Sequence, residues 1–161
     1  MISIKAVALD VDGVLTDGFF IWGTGGAEFK RFSFRDVMGI SLAKKAGVVF
    51  ALISGEDTPL IDRFARKMGI TDIYKGCKNK ESALREFAKR HGFALEETCF
   101  IGDDVNDLSA LAIAGFAAAP ANAHYKVKEE ADHVARACGG QGAVREILDY
   151  LMERGLTAAQ K

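Results

Sequence analysis

With two prolines, three cysteines and one tryptophan in 161 residues, the sequence excludes several function classes by what it lacks. So little proline leaves no Pro-rich linker, and no repeat or low-complexity segment is visible. Cys77, Cys99 and Cys138 are odd in number and lack the paired spacing of a zinc site or a disulfide framework, so they read as reduced thiols of a cytoplasmic protein. No apolar run approaches the roughly 20 residues that span a bilayer. Lys5 and Asp10 interrupt the first apolar run, unlike the uncharged centre of a secretory signal. A net charge of -1 lacks the basic excess that would draw nucleic acid or an anionic membrane, and neither is expected as a partner. What is present is 49% apolar residues and 17 glycines, the composition of one compact domain over residues 1–161.

Along the chain, short apolar runs alternate with amphipathic stretches. Ala6 to Leu9, Val48 to Ile53, Asp72 to Tyr74, Thr98 to Ile101 and Phe116 to Ala119 read as strands, most of them buried on both faces, and His133 to Ala135 as an edge strand. Between them, Leu60, Ile61, Phe64, Ala65 and Met68 fall on one helical stripe, as do Ala83, Leu84, Phe87 and Ala88, and then Val144, Ile147, Leu148, Leu151 and Met152. Asp36 is expected to cap a helix that Gly47 ends, and Asn79 to cap the helix that opens with Lys80. A further helix is read over Ala123 to Ala131. Alternation of this kind predicts an α/β fold, a doubly wound, Rossmann-like parallel sheet with helices on both faces. One insertion interrupts it at about 18–34, where Phe19 to Trp22, a Gly23-Thr24-Gly25-Gly26 turn and Phe29 read as an aromatic hairpin suited to a subunit contact. The tail over about 155–161 is expected to be mobile.

In such a sheet, ligands bind beyond the carboxyl ends of the strands. The strand ends here deliver Asp10 and Asp12, then Ser54 and Gly55, then Asp103, Asp104, Asn106 and Asp107, while a helix start delivers Lys80. Lysine in a first turn faces the positive end of the helix dipole, so an acidic pocket would have to hold it there. Carboxylates converging in this number repel unless a divalent cation with hard oxygen ligands joins them, and Mg²⁺ fits best. Asp10 can then attack phosphorus, and Asp12, two residues on, can protonate the leaving oxygen and later deprotonate water. Ser54 and Lys80 would hold the phosphoryl oxygens, with backbone amides around Val11 to Val14 completing the cradle. The same inventory of acids, hydroxyl and lysine occurs in phospho-accepting receiver domains, which place the acceptor after a later strand, and an inactive regulatory module on the same fold is the third reading.

Asp10-Val11-Asp12-Gly13-Val14, Ser54, Lys80 and Gly102-Asp103-Asp104 with Asp107 resemble, in order, the motifs of the haloacid dehalogenase superfamily. Glu28 with Lys30, Asn122-Ala123-His124 and the Gly139 to Glu146 segment are similar to its capless branch, so that the resemblance spans nearly the whole chain. It implies no cap domain and a homotetramer in which the hairpins pair and a neighbouring copy closes each site. It implies Mg²⁺ held by Asp10, the carbonyl of Asp12, and Asp103, with Asp104, Asn106 and Asp107 in support. The implied substrate is a keto-deoxy sugar acid phosphate, 3-deoxy-D-manno-octulosonate 8-phosphate first. Glu56 and Lys67 look more like the residues of members acting on 2-keto-3-deoxy-nononate or N-acylneuraminate 9-phosphates. Roles for His124 and Arg145 in substrate binding stay open at this stage.

Overall fold

In the computed structural model, which describes residues 3–157, the alternating pattern becomes alternating elements. Strand β1 (Ala6–Leu9) is followed by a separate ribbon, β2 (Ile21–Trp22) and β3 (Glu28–Phe29). Then come α1 (Phe34–Lys45), β4 (Val49–Ile53), α2 (Pro59–Met68) and β5 (Asp72–Tyr74). The second half holds α3 (Lys80–His91), β6 (Thr98–Ile101), α4 (Leu108–Ile113), β7 (Phe116–Ala119), α5 (Tyr125–Glu130), β8 (His133–Val134) and α6 (Ala143–Glu153). The sheet runs β5-β4-β1-β6-β7-β8 with every pair parallel, the doubly wound order expected of the pattern.

Central β1 has no exposed side chain, and its residues alternate between two cores. Val7 and Leu9 face α1, α2 and α6 with Ile40, Ile61, Phe64, Ile147 and Leu148. Ala6 and Ala8 face α3, α4 and α5, where Ala51, Ala117 and Ala119 keep the sheet surface flat enough for Leu84 and Phe87 to pack on it. Between β1 and α1 the only inserted elements are those of the ribbon, paired Ile21 to Phe29 and Trp22 to Glu28.

The structure corrects three local readings. Asp36 does not cap its own helix: Ser33 does so by accepting the Arg35 amide. Asp36, 1% exposed, instead accepts the backbone N–H of Arg145 at 2.9 Å. It serves as the cap of α6, whose own N-cap, Gly142, has no side chain to offer. Burial raises its pKa, partly offset by the amides of Arg145, Gly142 and Val144. The helix read from Ala123 begins at Tyr125, because His124 accepts the Lys126 amide through its ring nitrogen and so acts as the cap. Of the tail, Thr157 is buried and bridges Ile4, and Leu156 is packed against the core beside it. Residues 158–161 lie outside the described residues.

Candidate active site

Three strand ends and one helix start meet at the carboxyl edge of the sheet. Asp10 extends β1 by one ladder bond, its N–H reaching the Ile101 carbonyl at 3.0 Å, which holds its carboxylate on rigid backbone. After β6, the Gly102 amide bonds the Ala118 carbonyl, and the chain turns so that Asp107 accepts the amides of Asp103 (2.8 Å) and Asp104 (3.2 Å). Carboxylate oxygens of Asp10, Asp103 and Asp107 come within 4.8 Å of one another. Gly13 permits that approach twice over: its φ is +88°, and a Cβ there would lie 1.9 Å from an Asp103 oxygen. Gly139 packs just as closely behind it, with any Cβ 1.9 Å from the Gly13 carbonyl, so the 139–142 segment braces the acidic loop.

Lys80 enters this cluster from the first turn of α3, only 2% exposed. Its Nζ lies 2.9 Å from Asp10 Oδ1 and 2.6 Å from Asp107 Oδ1. Burial disfavours its charge, but the two carboxylates outweigh that and raise its pKa. No lysine or arginine among the described residues pairs with Asp103. Burial together with the Asp107 and Asp104 charges pushes its carboxyl up to about 6. Asp10 is raised well above the usual carboxylate range, first by burial and then by Asp107, despite Lys80. Three carboxylates facing one ammonium form an all-oxygen, net-negative pocket, and that donor set fits a hard divalent cation such as Mg²⁺.

The open pocket above the cluster has a volume of about 230 Å³ and is lined by Asp10, Asp12, Gly18, Gly55, Glu56, Lys80, Asp103, Asp104 and Asn106. Ser54 lies beneath the rim at 1% exposure, where its hydroxyl accepts the Glu56 amide at 3.1 Å and thereby shapes the turn that presents Gly55 and Glu56. Asp104 caps the short turn over Val105–Asp107. Lys67 is not brought here. It occupies the last turn of α2, about 12 Å of helix rise beyond Pro59, and lines a different cavity of about 580 Å³ with Phe32, Phe34 and Arg63. A third cavity, of about 600 Å³, lies along α6. Neither larger cavity gathers the three clustered carboxylates. His124 caps α5, Arg145 bonds Asp149 at 2.7 Å, and neither lines the acidic pocket.

Two residues that belong to the resemblance were given no role by the sequence reading. Lys30 binds Asp12 through Nζ at 2.5 Å, and Thr16 donates to the same oxygen at 3.5 Å. Thr16 lay within reach of a local spacing argument, four residues beyond Asp12. Lys30 did not, since the hairpin that carries it back to the pocket is a tertiary event.

Comparison with known proteins agrees with this geometry. A profile of the haloacid dehalogenase-like hydrolases matches residues 37–148. The 3-deoxy-D-manno-octulosonate 8-phosphate phosphatase of Haemophilus influenzae is 40% identical over 151 residues, 94% of this chain and 84% of that protein. Its counterpart in Escherichia coli K12 is 37% identical over 150 residues, 93% and 80% of the two chains. Among solved structures, the Moraxella catarrhalis phosphatase of the same name, in complex with magnesium, phosphate and KDO, superposes with a TM-score of 0.91 at 36% identity, covering 93% of this chain and 86% of that one. The cobalt-bound Haemophilus influenzae enzyme gives 0.92 at 39% identity, covering 95% and 90%.

Proposed function

We propose that this chain, which belongs to the haloacid dehalogenase-like hydrolases, is a Mg²⁺-dependent phosphatase that hydrolyses 3-deoxy-D-manno-octulosonate 8-phosphate. The observation that carries the reading is the meeting of Asp10, Asp103 and Asp107 around buried Lys80, at a pocket that also exposes Asp12. A magnesium ion held by Asp10, the Asp12 carbonyl and Asp103, with Asp104, Asn106 and Asp107 in support, would neutralise the cluster and the phosphoryl charge.

The residues then divide the reaction. An Asp10 carboxylate oxygen attacks phosphorus, the bond from phosphorus to the sugar oxygen breaks, and a proton from Asp12 converts the departing alkoxide to the alcohol. Asp10 now carries the phosphoryl group. Water adds to that phosphorus, its proton returns to Asp12, and cleavage of the bond to Asp10 releases inorganic phosphate and regenerates the carboxylate. Lys80 stays beside Asp10 throughout and offsets charge without crossing water, since it is already in place. Gly55, Glu56 and Asn106 line the opening where the sugar acid enters. Acceptor and acid/base on the same strand end separate this site from a receiver, which has no group placed to speed hydrolysis.

Glu56 on the pocket wall favours, as the second reading, a nine-carbon sugar acid 9-phosphate. Phosphate release from the eight-carbon and nine-carbon acid phosphates, measured side by side with Asp10→Asn as control, tests both readings. Turnover that survives Asp10→Asn overturns the nucleophile, and a preference for the nine-carbon acid overturns the substrate.

The assembly that the family resemblance implies is a homotetramer, and the hairpin offers an apolar surface for it. Phe19, Phe20, Ile21, Trp22 and Phe29 are all exposed, and Phe34, Met38 and Leu42 of α1 extend the same apolar character. In that assembly, Lys67 would reach a substrate only from a neighbouring copy. A reducing compartment such as the cytoplasm is supported by three unbridged cysteines, and no helix among the described residues is long and apolar enough to cross a membrane.

A further inference from the structure

We infer that Asn122 is a positioning residue for the metal, fastening the turn that sets the Asp12 carbonyl; this rests on the Mg²⁺ reading of the acidic cluster above. The side-chain oxygen of Asn122 accepts the backbone N–H of Gly139 at 3.0 Å. Gly139 lies so close behind the acidic loop that a Cβ on it would sit 1.9 Å from the Gly13 carbonyl oxygen and 2.9 Å from that of Thr16. The next amide, that of Gly140, donates to the Val14 carbonyl at 3.1 Å. Gly13 is therefore gripped from two directions: the Asp103 carboxylate fills the space a Cβ would need, and Gly139 backs onto its carbonyl.

What the grip fixes is a peptide plane. The Gly13 N–H points at the Thr16 hydroxyl, 3.3 Å away, and the peptide is trans, so the Asp12 carbonyl of the same unit faces the opposite way. A Gly13 that slipped would swing that carbonyl, and Mg²⁺ tolerates little distortion of its oxygen shell. The contacts close on themselves. Asn122 holds Gly139, Gly139 backs Gly13, Gly13 adjoins the Asp103 carboxylate, and the Asp103 carbonyl accepts the amide of His124, two residues beyond Asn122, at 2.7 Å. Both ligand-bearing loops are thus fastened to one turn after β7. A merely structural Asn122 would tie that turn to the segment ahead of α6, but the Ala121 amide on the Ala137 carbonyl, at 3.0 Å, already does so. Asn122 is moreover exposed, so its truncation opens the Gly139 amide to water rather than stranding it. The fold loses little, and the placement of Gly139 is what goes.

Calorimetric titration of Mg²⁺ into the full-length metal-free protein, with thermal melts of the same samples, tests this. Asn122→Ala should raise the Mg²⁺ dissociation constant at least about fivefold, while the metal-free melting temperature stays within about 2 °C of the parent's. Asn122→Asp keeps the accepting oxygen, and its added charge favours a cation nearby, so it should bind Mg²⁺ at least as tightly as the parent. A smaller change in the alanine variant, a larger drop in its metal-free melting temperature, or weaker binding in the aspartate variant overturns the inference. Asp103→Asn separates it from the reading beneath. If that variant keeps the parent's affinity, the Mg²⁺ site itself is misplaced; if it loses Mg²⁺ while Asn122→Ala does not, only the role of Asn122 is lost.

Discussion

The acidic pocket and the aromatic hairpin solve opposite problems within a few residues of each other. At the pocket, polar groups are buried and supplied with partners: Lys80 is 2% and Asp107 0% exposed, and their contacts come from three elements of one rigid sheet edge. At the hairpin, apolar groups are left in water, with Trp22 at 74% and Phe19, just ahead of β2, at 71% exposure, and the ribbon has only two strands of two residues each. A two-stranded ribbon that short is at best marginal alone. The acidic cluster is thus assembled within one chain, whereas the hairpin's apolar side chains find no covering within it. Lys30, at the root of the hairpin, is where the unfinished region touches the finished one.

The comparison is broken most severely at Lys80. Lys80→Met should reduce phosphate release about a thousandfold and destabilise the protein by about 3–5 kcal/mol, because two buried carboxylates lose their counter-charge; kinetics and denaturant melts with and without Mg²⁺ check both numbers. Asp103→Asn acts in the opposite sense on stability. It removes one of the mutually repelling charges, so the metal-free variant should melt about 2–4 °C higher than the parent, while Mg²⁺ no longer raises its melting temperature and turnover is lost.

A pH series sharpens the same point. In the metal-free protein the Asp103 carboxyl is raised to about 6, above the value of roughly 3.9 for an unfolded aspartate. The folded state therefore binds the proton more tightly, and this contribution to stability is fully present below the unfolded pKa and is lost as pH rises through about 6. Asp10, also raised, works in the same direction. Melting without metal should accordingly give a lower stability at pH 7.5 than at pH 5, and Mg²⁺ should close the gap at pH 7.5, where it replaces the protons. A metal-free profile that instead rises between pH 5 and 7.5 contradicts the geometry of the cluster.

The smallest effect on the protomer is expected at the hairpin. Phe19→Ser with Trp22→Ser removes the two most exposed rings of the hairpin and keeps Phe20 over Lys30, so the protomer's unfolding free energy should change by less than about 0.5 kcal/mol. Sedimentation should nevertheless show the proposed tetramer falling to smaller species. A tetramer that survives the double substitution places the subunit contact elsewhere.

Strands and motifs were legible because each is written in neighbouring residues. Ala6 to Leu9 reads as a buried strand and the carboxylates after it as its polar end from one short window, and the same holds for β6 and the acids that follow. Asp36 was misread for the complementary reason. A capping residue near a helix start is ordinarily its own helix's cap, and only the packing of α1 against α6, close enough that a Cβ on Gly39 would lie 2.9 Å from Arg145, hands its carboxylate to another helix. Lys67 shows the same limit in reverse, a residue associated by resemblance with the substrate and carried by α2 to a different cavity.

By itself, the order of apolar runs and the acids at their ends determined the class of sheet, its catalytic edge and the need for a hard cation, since periodicity and charge repulsion are properties of sequence neighbours and of strand ends in any fold of this class. Which lysine meets which carboxylate was decided only by the tertiary structure. The hairpin's reversal and the crossing of α1 over α6 bring together groups that lie 18 and 109 residues apart, and separations of that kind are set by turns and packing rather than by any local pattern.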